Sequence, residues 1–206
     1  TFEIDSYFNT KRIDADGNVM PDTPMNKPPI DHTARIKGTD MGRQILMMMN
    51  NYVGEPTTAL AKKSGMLEGH RLGWPGREGR YLISDFPTWL RLLSQGDVIY
   101  IREPLSQFRQ HPGQEQHNIF TYIAGNICWG LMMREAIEQN VFLVTEDERR
   151  TALVRYLYCL GSALRKLLPY PVWQDERLLD LLTVYQGTIE ALKNGFRFSY
   201  EIHTEG

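Results

Sequence analysis

The chain has 206 residues, of which 42% are hydrophobic and 23% are charged, and its formal net charge is -2 at pH 7. This composition is that of an ordinary globular chain with a sizeable core, which excludes intrinsic disorder. The basic residues form no stripe that would indicate nucleic-acid binding. No apolar run approaches the roughly 20 residues of a membrane-spanning helix, and the first residues lack the cationic start of a signal peptide.

The first 38 residues begin with a strand-like segment over residues 1–8, followed by a turn and a proline-rich loop. The turn contains Asp14-Ala15-Asp16, which has the spelling of a metal-binding Asp-x-Asp motif. However, Gly17-Asn18 follows it and no long apolar strand precedes it. The pattern is therefore typical of a plain turn, and we do not predict a metal site there.

Residues 39–117 alternate between helical and strand patterns. Thr39 can cap a helix that runs to about residue 50. The predicted apolar face of that helix comprises Met41, Ile45, Met48 and Met49. Residues 52–62 are strand-like. Residues 65–79 contain five glycines, which predicts an irregular loop near the mouth of any site.

The most informative segment begins at Asp85, which opens a short amphipathic helix that Gly96-Asp97 ends. An apolar strand over residues 98–101 follows, then Pro104-Leu105 and a second strand. That strand ends in Arg109-Gln110-His111. The order puts one carboxylate and one Arg/His pair at the ends of adjacent elements, where rigid scaffolds commonly carry chemistry.

These motifs resemble the acceptor-side half of family 2 glycosyltransferases, which have the GT-A fold and transfer sugars from nucleotide-sugar donors. Asp85 with Trp89-Leu90-Arg91-Leu92 is similar to the family's Asp-x-x-x-Trp-Leu-Arg-Leu helix. The family's Gly-Asp turn, Pro-Leu pair and Arg-x-His ending follow here in the same order. Upstream, Asn51-Tyr52-Val53-Gly54-Glu55-Pro56-Thr57 is similar to the family's Asn-x-Ile-Gly-Glu-Pro-Thr segment. The resemblance covers residues 1–118.

Two departures from the family's pattern concern the site. Ser84 precedes Asp85, where the family commonly has Glu. The Asn-rich nucleotide loop and the Asp-x-Asp metal motif of the family's first half are absent from the sequence. We therefore expect this chain to begin just after that half would end, to bind no cation tightly and to be inactive alone.

The resemblance implies roles for five residues. Asp85 corresponds to the general base that takes a proton from the acceptor hydroxyl. Arg109 and His111 correspond to groups near the departing diphosphate. His111 would also help to hold the divalent cation, Mg²⁺ or Mn²⁺, of the intact enzyme. Glu55 and Trp89 are assigned to substrate binding in the acceptor pocket.

Each of these residues also has a simpler interpretation. Asp85 could act only as a helix cap, because Asp is favoured at that position. Glu55 could form a local salt bridge and Arg109 could pair with a surface carboxylate. His111 could merely occupy a turn, and Trp89, at helical spacing with other apolar residues, could belong to the core.

Residues 118–196 contain three successive helical patterns, each with apolar residues at i, i+3, i+4 and i+7. Thr145 and Glu148 predict a capping box before the second helix. Pro169 ends the second helix and Gly195 ends the third. We expect these helices to cover one another or a face of the preceding α/β part.

Cys128 and Cys159 each lie within a helical apolar pattern. Two isolated cysteines are typical of reduced core thiols and not of a disulfide framework, and so we expect a cytoplasmic protein.

The sequence thus predicts a chain of α/β to mostly α class. It divides into a partial GT-A-like domain over residues 1–117 and a helical subdomain of about three helices over residues 118–206.

The predicted function is the acceptor side of an inverting nucleotide-sugar-dependent glycosyltransferase. Its partners would be a nucleotide-sugar donor and a carbohydrate or other hydroxyl acceptor, with a possible homodimer through the helices. The alternative is a helical protein-interaction module on a degenerate, non-catalytic remnant. The identity of donor and acceptor does not follow, because one scaffold serves many of each.

Overall fold

The computed structural model describes residues 4–21, 30–61, 85–111, 113 and 118–202. The predicted glycine-rich loop over residues 65–79, most of the proline-rich loop and Ser84 lie outside the described residues.

Within the described residues, four strands form one mixed sheet. The strands are β1 (Ile4–Ile13), β2 (Ala34–Ile36), β3 (Ala59–Leu60) and β4 (Val98–Arg109), in the order β2-β4-β1-β3. The central strands β1 and β4 run parallel, whereas β2 pairs with β4 and β3 pairs with β1 in antiparallel fashion. The parallel pair ends with Ile13 beside Arg109.

β4 is one continuous strand of 12 residues, and so the prediction of two strands separated at Pro104 is wrong. The antiparallel partner β2 pairs only with residues 98–100 of β4. Among the described residues no strand pairs with that side of β4 beyond Tyr100, and a proline is tolerated at such an edge because no ladder hydrogen bond is lost. The register with β1 also shifts on both sides of the pair between Asn9 and Pro104. Such an irregularity in the register is a place where a strand accommodates a residue without a backbone N–H.

The described residues form five α-helices: α1 (Gly38–Met48), α2 (Asp85–Gln95), α3 (Ile119–Glu138), α4 (Glu146–Leu167) and α5 (Glu176–Lys193). The three predicted C-terminal helices are confirmed. The capping box is confirmed as well, because the Thr145 Oγ1 accepts from the Glu148 N–H at 3.2 Å and Glu148 Oε2 accepts from the Thr145 N–H at 2.9 Å. Among the helices of the described segments, none combines the length and apolar character needed to cross a membrane.

Two local predictions in the α/β part are corrected. Thr39 does not cap α1, whose N-cap residue is Lys37. The Gly38 N–H instead donates to Asp97 Oδ1 at 3.3 Å, so the cap comes from the distant turn before β4. The face of α1 also differs, because Leu46 is buried while Met48 is exposed. The strand predicted over residues 52–62 reduces to β3, preceded by a single 3₁₀ turn over Pro56–Thr58.

One hydrophobic core extends through both the α/β part and the helices. The rings of Phe86 in α2 and Trp129 in α3 meet edge to face, with their centroids 4.2 Å apart. A side chain at Gly42 of α1 would lie only 2.3 Å from the Phe142 ring, so this glycine permits close approach. The C-terminal helices therefore pack against α2 within one shared core. The division into two domains at residue 118 stays a prediction.

We predict that Leu160→Ala lowers the free energy of unfolding by roughly 2 to 5 kcal/mol, because the leucine is fully buried in α4 and its loss leaves a cavity. Leu168→Ala is the matched control, since Leu168 is 62% exposed and should change stability by less than about 0.5 kcal/mol. Urea denaturation of the three proteins measures both values. Equal losses from the two substitutions would contradict the packing described for α4.

Candidate functional site

Glu55 lies in a turn over residues 51–58 that is stabilised by hydrogen bonds among its own residues. Asn51 Oδ1 accepts from the Gly54 N–H at 3.0 Å, and Asn51 Nδ2 donates to the Gly54 carbonyl at 3.2 Å. The buried Thr58 hydroxyl shares its proton between the carbonyls of Val53 at 2.8 Å and Glu55 at 2.6 Å. Gly54 has a φ of +86°, a region that glycine enters without steric cost. The backbone that presents Glu55 is therefore fixed on both sides.

Trp89 attaches this turn to α2. The indole is only 4% exposed, and its Nε1 donates to the Gly54 carbonyl at 3.0 Å. A buried indole N–H needs such a partner, because leaving it unpaired would be costly. The bond fixes the distance between the turn that carries Glu55 and the helix that Asp85 opens.

Glu55 and Asp85 lie close enough to interact electrostatically. Partial burial raises the pKa of Glu55, and the negative charge of Asp85 raises this pKa further. Both effects disfavour the charged form of a carboxyl group. Glu55 therefore keeps its proton to a higher pH than an ordinary glutamate does. Asp85 is half-buried, and the Glu55 residue as a whole remains exposed although protein covers part of its surroundings, so the pair lies at the protein surface.

The burial of Trp89 favours the core interpretation over direct contact with a substrate. Almost none of the ring remains accessible, and its polar atom is bonded to Gly54. Trp89 instead acts on the site indirectly, by supporting the turn below Glu55.

Arg109 lies at the end of β4, where it binds the turn that follows β1. Its Nη1 donates to the carbonyls of Asp14 at 3.1 Å and Ala15 at 2.7 Å. The Asp14 carboxylate accepts from the backbone N–H groups of Asp16 and Asn18, which confirms that this segment is a turn. The hydrogen bond from the Asn18 side-chain amide, together with those from these N–H groups, holds the pKa of Asp14 below its usual value.

The sheet topology relates Arg109 and His111 to the carboxyl pair. β3 is antiparallel to β1, so the residues before Ala59, including Glu55, lead from the sheet in the direction in which β1 and β4 end. Arg109 terminates β4 at that edge, and the exposed His111 follows it. The structure thus clusters Glu55, Asp85 and Trp89. The role of Arg109 and His111 near a departing diphosphate stays a prediction.

Metal-ligating side chains are dispersed across the described segments. No three His, Cys, Asp or Glu residues there come close enough together to hold an ion. The role of His111 as a ligand stays a prediction.

Two groups that support the site escaped prediction. Asp97, recognised only as part of a turn, accepts from Arg35 Nε at 2.9 Å and from the Gly38 N–H, and so joins β2 and α1 to the start of β4. The Gly54 carbonyl was equally unexpected as the partner of the Trp89 indole. Both contacts join segments far apart in sequence, which a local pattern does not reveal.

Comparison with known proteins identifies no relative: no family model, no curated protein and no solved structure matches this chain.

We predict that Glu55→Gln becomes more stable relative to the wild type as the pH rises from about 4 to about 7. Because folding raises the pKa of Glu55, the folded state binds this proton more tightly than the unfolded state does. Wild-type stability must then fall as the pH rises through the raised pKa, a loss that glutamine removes. Urea denaturation across this pH range measures the difference.

Glu201→Gln serves as the control, because Glu201 is an exposed glutamate in the C-terminal tail. A difference between Glu55→Gln and the wild type that does not change with pH would contradict the raised pKa of Glu55.

Proposed function

We propose that this chain forms the acceptor side of a nucleotide-sugar-dependent glycosyltransferase that inverts the anomeric centre, with Asp85 as the general base. The observation that carries the proposal is the carboxyl pair of Glu55 and Asp85, held together through the Trp89–Gly54 hydrogen bond. The order of sequence motifs that resembles family 2 glycosyltransferases adds support, because these same residues lie within it.

The proposed chemistry is a single displacement. The acceptor hydroxyl loses its proton to the Asp85 carboxylate while its oxygen attacks the anomeric carbon of the donor sugar. The bond from that carbon to the diphosphate oxygen breaks at the same time, and the electron pair leaves with the nucleoside diphosphate. Glu55 can orient the acceptor through a hydrogen bond, because its carboxyl accepts from a hydroxyl when ionised and can also donate when protonated. Burial and the charge of Asp85 both favour the protonated form.

Arg109 and His111 are proposed to face the departing diphosphate. A guanidinium group stays positively charged at any physiological pH and matches the geometry of phosphate oxygens. The hydrogen bonds from Arg109 to the turn after β1 fix its position at the sheet edge. In open α/β sheets, ligands bind at the edge where parallel strands end, and β1 and β4 end there.

The proposed setting is the cytoplasm, where nucleotide sugars would meet a carbohydrate or other hydroxyl acceptor. Cys128 and Cys159 are both free thiols, which is the usual state of cysteines in that compartment.

A second candidate function is a protein-interaction module built on the helices. Exposed apolar side chains on α4 favour it, above all Tyr158 at 77% exposure. The two functions are compatible, because the carboxyl pair and the outer face of α4 belong to different elements.

In an intact enzyme that carries both halves, Asp85→Asn should lower turnover by roughly 10² to 10⁴, the usual contribution of general base catalysis. Folding and donor affinity should remain near normal, since Asn favours a helix start about as well as Asp. His111→Ala should differ by weakening donor binding as well as rate. Steady-state kinetics and calorimetry separate the two effects.

Asp16→Asn is the matched control, because Asp16 is an exposed aspartate in the turn after β1. If Asp85→Asn retained more than about half the turnover, far outside the range above, the assignment of Asp85 as the general base would be wrong. Glu55 would then become the candidate base.

The chain of 206 residues by itself should be catalytically silent. It should bind nucleotide sugars only weakly, because the motifs that hold the nucleotide are absent from its sequence. Calorimetry with a panel of nucleotide sugars, with Mg²⁺ or Mn²⁺ present, measures this. A dissociation constant on the order of micromolar would mean that the donor site lies within this chain and would contradict the assignment.

A further inference from the structure

The outer face of α4 presents a regular stripe to solvent. Its positions repeat at alternating intervals of four and three residues, the spacing of a helix that pairs with another helix. All six of these residues are exposed: Asp147, Thr151, Val154, Tyr158, Gly161 and Arg165. The opposite face of α4 packs into the core through Leu153, Tyr156 and Leu160. The stripe is therefore a second, separate face of the same helix.

The stripe is complementary to itself when two copies run antiparallel. With a two-fold axis at the level of residue 156, Val154 of one copy meets Tyr158 of the other. Thr151 then meets Gly161, which is small and has open space around its Cα. Asp147 meets Arg165, an acid opposite a base. A two-fold interface must match each position with its symmetric partner in this way.

The same symmetry extends beyond the ends of the helix. Val144 precedes the N-cap and Leu168 follows the last helical residue, and both are exposed, at 51% and 62%. The axis that pairs Val154 with Tyr158 also pairs these two apolar residues. The apolar contacts therefore lie on both sides of the charged pair.

The charges on the stripe are available for such a contact. Within the described parts of the chain, the side chains of Asp147 and Arg165 make no hydrogen bond or ion pair. An acidic first turn and a basic last turn also suit the dipole of α4 itself. That effect explains the sign of each charge. It does not explain why both lie on the stripe at mutually symmetric positions.

We propose that α4 is a homodimer interface, in which two copies of this chain pair antiparallel through the stripe. The contact is one helix wide, smaller than the roughly 800 Å² per partner of a standard interface, and so the dimer is weak, with a dissociation constant on the order of tens of micromolar. The proposal stands independently of the catalytic assignment.

Sedimentation velocity of the chain between about 1 and 300 µM, which brackets that affinity, tests the proposal with a charge swap. Asp147→Arg and Arg165→Asp should each weaken the dimer by about tenfold or more, because each variant sets two like-charged pairs across the interface. The double variant Asp147→Arg/Arg165→Asp should restore dimerisation, because it rebuilds both pairs with their signs reversed.

Two controls match the changes in net charge. Glu201→Arg and Lys193→Asp alter exposed residues that do not belong to α4 and should leave the dimer unchanged. Circular dichroism checks the fold of every variant, which should be intact because all substituted positions are exposed. A chain that stays monomeric over the whole range would overturn the proposal. The proposal would also be overturned if the single substitutions left the dimer affinity unchanged, or if the double variant did not dimerise.

Discussion

The hydrogen bond from the Trp89 indole to the Gly54 carbonyl is the contact on which the candidate site depends. It joins a helix to a turn that precedes it in the chain, and each partner presents one carboxyl group, Asp85 on the helix and Glu55 on the turn. Breaking it would leave a buried donor without a partner, at a cost of roughly 1 to 3 kcal/mol. The charge of Asp85 acts on Glu55 because this bond and the hydrogen bonds within the turn over residues 51–58 keep the two segments together.

The helices stabilise this arrangement from below. Phe86, next to Asp85, packs against Trp129 of α3, so the start of α2 rests on the helical part. α4 reaches the α/β part as well, because Arg155 Nε donates to the Met48 carbonyl at 3.2 Å at the end of α1. One face of α4 thus packs into the core, and the opposite face carries the exposed stripe. A dimer formed through that stripe would not need to disturb the carboxyl pair.

The features that the sequence predicts well are those that depend on near neighbours in the chain. The three C-terminal helices and the Thr145–Glu148 capping box follow from periodicity and from spacing within one turn. Two of the failures involve distant partners. Asp97 replaces Thr39 at the start of α1, and edge pairing lets β4 continue through Pro104. Glu55 and Asp85 could each be singled out from motifs, but their meeting depends on tertiary contacts that no local pattern contains.

The central claim, that Glu55 and Asp85 form one electrostatically coupled pair, can be measured directly. An NMR titration of the Glu55 side-chain carboxyl in the wild type and in Asp85→Asn reads the pKa of this group in both proteins. The wild-type pKa should lie above the ordinary glutamate value of about 4.3. It should fall in Asp85→Asn, while burial still keeps it above the ordinary value. A Glu55 pKa that is the same in both proteins would contradict the account, because the two carboxyl groups would then not sense each other.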